Sequence, residues 1–106
     1  MTTIPERDWR VFRELRVIAL ERFCERVLRE VGDIAASTGK SWHERYGVIY
    51  GLIEREDAEL ARAFDGASRS RAFLQLAAMC ARDLLTAEEL DRFTPETRQR
   101  LEPMPK

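Results

Sequence analysis

Ser41-Trp42-His43-Glu44-Arg45-Tyr46-Gly47-Val48-Ile49 is the stretch on which the reading of this chain turns. Serine followed three residues later by glutamate makes a capping box. The Ser41 hydroxyl accepts from the amide of Glu44, and the Glu44 carboxylate reaches back to the amide of Ser41. A helix therefore starts at Trp42. Beyond it Trp42, Tyr46, Ile49, Ile53, Leu60 and Phe64 recur at steps of three, four and seven, which places them on one helical face. That face is expected to be buried, and Asp65-Gly66 supplies the stop. The stripe is interrupted at Glu56 and Asp57, so one of these carboxylates is expected at the core edge, paired with an arginine.

Upstream the same period runs through a longer helix, from about Pro5 to the Ser37-Thr38-Gly39 stop, with Glu6 and Asp8 placed to complement its N-terminal dipole. Val17, Leu20, Cys24, Val27, Val31 and Ile34 form a heptad-like seam that is expected to meet the core. Val11, Phe12, Leu15 and Ile18 form a second apolar surface, rotated by more than a right angle from the first. Unbroken, this helix would be roughly 50 Å long, against a radius of gyration of about 13 Å for a compact chain of this size. Either Gly32 breaks it or part of it reaches past its own domain. The second surface is expected to pair two copies of the chain, as a homodimer through Val11, Phe12, Leu15 and Ile18. Gly47 and Gly51, on the far side of the second helix, are the second candidate contact. The competing account folds the C-terminal segments around Leu90, Phe93 and Leu101 back over it.

Downstream, a third helix is expected from Ser68 or Ser70 through Ala72-Phe73-Leu74-Gln75-Leu76-Ala77-Ala78-Met79-Cys80-Ala81, apolar over most of its circumference and so in need of cover. Thr86-Ala87-Glu88-Glu89 is a second capping box, opening a short helix through Phe93. Thr94-Pro95-Glu96 opens another, through about Leu101, before Pro103 and Pro105 end regular structure. The whole predicts one all-α domain over 1–106, a compact bundle of three main helices plus one or two short C-terminal helices. Its core is expected from Leu20, Phe23, Val27, Val31, Tyr46, Ile49, Ile53, Leu60, Phe64, Phe73, Leu76, Ala77 and Cys80.

Lysine and arginine total 18 against 19 acidic residues, so no overall field draws the chain to nucleic acid or to an anionic membrane. The bases are arginines apart from Lys40 and Lys106. Cys24 and Cys80 lie far apart among apolar neighbours and are expected as reduced core residues. The opening residues lack the charged and apolar regions of a signal peptide, and no apolar run approaches the roughly 20 residues of a membrane span, so a cytoplasmic protein is expected. His43, the only histidine, begins His-Glu-Arg-Tyr-Gly, in which Gly47 stands where a zincin needs its second histidine. No phosphate loop or calcium loop is present, so neither cofactor, metal nor catalytic residues are expected. The one local anion site is Ser68-Arg69-Ser70-Arg71, where hydroxyls, guanidinium groups and free helix amides converge. A salt link from these arginines to Asp65 or Glu59 is the simpler use of them. The expected function is a non-enzymatic protein interaction or regulatory module that self-associates. The alternative is a binder of a phosphorylated ligand or nucleic acid through Ser68 to Arg71, although one small basic cluster makes too few phosphate contacts for tight nucleic-acid binding.

Arg82-Asp83-Leu84-Leu85-Thr86-Ala87-Glu88-Glu89-Leu90-Asp91-Arg92-Phe93 resembles a short C-terminal helical module of many bacterial proteins, in which a helix, a glycine and two aliphatics precede Ser/Thr-x-Glu-Glu. Asp83 stands at the glycine position, and the likeness implies oligomerisation. In Glu21-Arg22-Phe23-Cys24, Ser41 to Tyr46, Ser68 to Arg71 and Leu85 to Thr97 the chain also resembles a group of small helical proteobacterial proteins, a likeness that implies no particular activity. Peptide release is excluded, since no Gly-Gly-Gln is present.

Overall fold

Pro5 occupies the N-cap of the first helix, where its missing amide is no loss. In the computed structural model, which describes residues 3–101, this helix, α1 (Glu6–Ala36), runs unbroken through Gly32. Four more follow: α2 (Trp42–Phe64), α3 (Ala72–Ala81), α4 (Ala87–Leu90) and α5 (Pro95–Leu101). Pro103 and Pro105 lie outside the described residues. The described residues form no strand, and none of their helices is long and apolar enough to cross a membrane. Both capping boxes are formed, Ser41 with Glu44 and Thr86 with Glu89. α3 starts later than its serines suggested, at Ala72, after a turn closed by the bond from the Arg71 amide to the Ser68 carbonyl.

The molecule has a packed head and a projecting hairpin. Its extents are 51 × 25 × 24 Å and its radius of gyration 16.5 Å, above the about 13 Å of a compact chain this long. Helix one therefore does reach past its domain. In the head, Phe12, Leu15, Ala19 and Phe23 of α1 are buried against Ala63 and Phe64 of α2 and Leu76 and Met79 of α3. Ile4, Leu84, Leu85 and Phe93 close over them, with Leu90 and Leu101 packed alongside. From residue 24 to residue 51 no residue is buried; Cys24 and Val27 still pack against the head and Arg26 bonds the carbonyls of Arg82 and Asp83, and beyond them the distal parts of α1 and α2 pair with each other.

The two α1 surfaces share the core instead of dividing into core and interface: Leu20, Cys24 and Val27 of the expected seam pack against it, and the second surface goes deeper. Phe12 and Leu15, read as interface, have no exposure at all, because the C-terminal segments fold back over them. Val11 is half-buried and only Ile18 remains exposed. The seam that should have met the core is half-buried at Leu20, Cys24, Val27, Val31 and Ile34, and Val17 is 60% exposed. On α2, Tyr46 and Ile53 are exposed and Leu52 takes the inward position. On α3, Leu74 is exposed and Phe73 is half-buried beneath the Arg100 guanidinium. The carboxylate at the core edge is Glu56, paired with Arg82.

Candidate functional site

Of the residues singled out as an anion site, Arg69 is engaged elsewhere in the chain. Arg69 donates from Nη2 to the Ile4 carbonyl at 2.9 Å and pairs with Glu6 at 3.1 Å, rather than with Asp65 or Glu59. It thereby ties the segment before α1 to the turn before α3. Ser68 and Ser70 hydrogen-bond each other through their hydroxyls at 3.2 Å. The Arg71 guanidinium lies against Gly66, which has φ +63°, and a Cβ there would sit 2.9 Å from its nitrogen. The positive φ favours glycine at this turn, whereas the arginine end is flexible and could move aside for a side chain.

Four other arginines also bond the backbone. Arg16 donates to the Phe64 carbonyl at the end of α2, and Arg45 donates to the Ala35 carbonyl near the end of α1 at 2.7 Å. One turn apart on α1, Arg22 reaches the Leu84 carbonyl and Arg26 the carbonyls of Arg82 and Asp83, just past α3. Helix C-termini leave carbonyls without partners and carry partial negative charge, so a guanidinium fork satisfies both needs at once. Arg22 also forks onto Glu89 at 2.6 and 2.9 Å, and its hydrogen bond, with the Thr86 amide assisting, holds the Glu89 carboxyl down to about 2.

The groups that could carry chemistry are poorly placed for it. His43 stands exposed at the hairpin tip. Neighbouring Glu44 bonds the Ser41 amide, which lowers its pKa. Burial, then the Asp83 charge, pushes the Cys80 thiol up, away from a reactive thiolate. Asp8 is fully buried, which alone would raise its pKa, but bonds donated by Thr97 and Thr94 outweigh burial and leave it below the usual carboxylate range. Those bonds dock α5 onto α1. An open cleft of about 370 Å³ lies between Phe23, Arg26, Val27, Glu56 and Arg82. Its charges are already matched, Arg82 to Glu56 and Arg26 to backbone carbonyls. Among the described residues no three His, Cys, Asp or Glu side chains group as a metal site.

What stands out is the hairpin. Leu28 is 63% exposed, Trp42 77%, Tyr46 71%, Tyr50 62% and Ile53 41%. Trp42, Tyr46, Ile49 and Ile53 succeed one another along one stripe of α2 with no charged side chain between them on that stripe. Each exposed residue follows an inward one by a single step: Leu28 after Val27, Tyr46 after Arg45, Ile53 after Leu52. A step of one residue turns about 100°, and because α1 and α2 run antiparallel the same sense of turn brings both stripes to the same side of the hairpin. Gly47 and Gly51 do not belong to it. An added Cβ at either meets nothing within 4 Å, so no helix of this chain crosses them. Sequence reasoning found the stripe Trp42 to Ile53 but assigned it to the core. The signal that it is surface was the length of α1, which exceeds anything the head can cover. Compared with known proteins, the chain matches no family model, no curated protein and no solved structure, so the reading of this surface stands on its geometry and chemistry alone.

Proposed function

We propose that the chain is a non-enzymatic protein interaction module whose working surface is the apolar side of the α1–α2 hairpin. The observation that carries this reading is the continuous stripe of large side chains, Trp42, Tyr46 and Ile53 beside Leu28, exposed on a part of the molecule with no core of its own. Soluble proteins seldom leave a contiguous apolar patch of several hundred Å² open unless something binds it. Tryptophan and tyrosine are also the residues that most often anchor protein interfaces. Two contacts shape the tip: the Ser41 box fixes the start of α2, and Arg45, stacked 3.8 Å over Trp42, ties α2 to the end of α1.

The test is a photo-crosslinking side chain placed at Tyr46 or, as control, at exposed Arg55, in the cell that makes the protein. A protein adduct at 46 that is absent at 55 is expected. Loss of any adduct at 46 would remove the hairpin as an interaction surface.

A further inference from the structure

We infer that the occupant of this surface is a second copy of the same chain, the two hairpins stacking face to face into an intermolecular four-helix bundle. The inference rests on the reading of the hairpin as an interaction surface and names its partner.

The area fits. Aromatic side chains bury about 150–250 Å² each, so three of them at 62–77% exposure offer about 400 Å². Leu28, Ile53 and the half-covered Ile49 and Val31 raise this to about 650 Å² per protomer, close to the roughly 800 Å² per partner of a stable interface. The shape fits as well. Two antiparallel helices with an apolar stripe along one flank resemble half of a four-helix bundle, whose remaining half presents a similar two-helix face. A two-fold related copy does so without any further evolved surface. Trp42 and Tyr46 lie near the tip, and Tyr50 sits between Ile49 and Ile53 toward the head. An antiparallel copy sets Trp42 over the partner's Ile53 and Tyr46 over the partner's Ile49. This order also sends the two heads to opposite ends of the bundle. The interface differs from the one that α1 suggested in sequence, since Phe12 and Leu15 lie inside the head.

Sedimentation of the purified full chain, with circular dichroism as the check on folding, tests the inference. The wild type should sediment at twice its chain mass at tens of micromolar. Tyr46→Glu and Ile53→Glu each place a charge in the stripe without touching the head, and should weaken dimerisation by about 100-fold or more while helicity is kept. A wild type of single mass in that range overturns the second copy as partner, and so does a dimer that persists in both variants. The two readings fail separately. A cross-linked adduct at 46 of any mass other than twice the chain would sink self-pairing and leave the interaction surface standing, whereas no adduct at all would sink both.

Discussion

At the scale of single residues, five arginines tie separate parts of the backbone together. Arg16, Arg22, Arg26, Arg45 and Arg69 each donate to a main-chain carbonyl. A lysine ammonium, a point charge on a flexible stem, could not bond two carbonyls in one plane as Arg26 does. The abundance of arginine was plain in the sequence; its use was not, because the bonds from Arg16, Arg22, Arg26 and Arg69 cross 48 or more residues to carbonyls that no local pattern marks. Asp83 shows the opposite case. It stands at the glycine position of the short bacterial module, and the structure gives it φ 55° at the end of α3, where the Leu84 amide reaches back to the Met79 carbonyl and the Asp83 amide to Cys80. This is a Schellman motif closed by a residue with a Cβ. Asp83→Gly should therefore raise stability by about 0.5–1 kcal/mol, read as a melting temperature higher by a few degrees. Glu89 gives a pH dependence. Its pKa is lowered from 4.5 to about 2 in the folded chain by Arg22, so its contribution is fully present above 4.5 and is lost as pH falls toward 2. Glu89→Gln keeps the capping geometry but removes the charge. Its stability should change less than that of the wild type between those pH values in denaturant titrations.

At the scale of elements, the helices and most of their starts were legible because their signals are local, Pro5 and the Ser41 and Thr86 boxes; the start of α3 was not, because no side chain caps it. Nor was the face that α1 turns inward. Two stripes on one helix compete, and the sequence favours the longer, Val17 to Ile34, by count. The fold favours the shorter, Phe12, Leu15, Ala19 and Phe23, because α3 to α5 all return to that end and cover it. Ala19 admits this cover, being small and fully buried. The consequence is testable. Leu15→Glu should not yield a folded monomer but should lose more than about 4 kcal/mol, by burying a charge with no partner among Phe12, Ala19 and the Phe93 segment. A cooperative melt near that of the wild type would contradict the placement. Gly47→Ala should act in the other direction. Nothing lies within 4 Å of the added methyl, so the gain of helix propensity, about 1 kcal/mol, is unopposed.

At the scale of the whole molecule, length is set against cover. An α1 of 31 residues spans about 46 Å, and the head wraps only the half that ends at Phe23. Just beyond it Arg26 still reaches the carbonyls of Arg82 and Asp83, and the rest is held by one neighbour along one side, by the Arg45 bond to Ala35 and by the Ser41 cap. Isolated helices of such length are marginal in water and draw their stability from packing on an amphipathic face. The hairpin should accordingly open without the head unfolding, at a free energy well below the global one. Hydrogen exchange on the full chain separates the two. In the Tyr46→Glu variant, amides of roughly residues 28–36 and 42–50 should exchange far faster than those of α1 before Phe23, while the head keeps its protection. In the wild type at concentrations where two copies pair, the same hairpin amides should slow toward the rate of the head, because each would then be covered on the side that the single chain leaves open. Equal protection of hairpin and head in the dilute variant would mean that one seam suffices to hold the hairpin, and stability would then give no physical reason for a second copy. Protection that rises with concentration only within these two segments would locate the contact on the hairpin, and not on the Val11 to Ile18 surface from which sequence alone had drawn it.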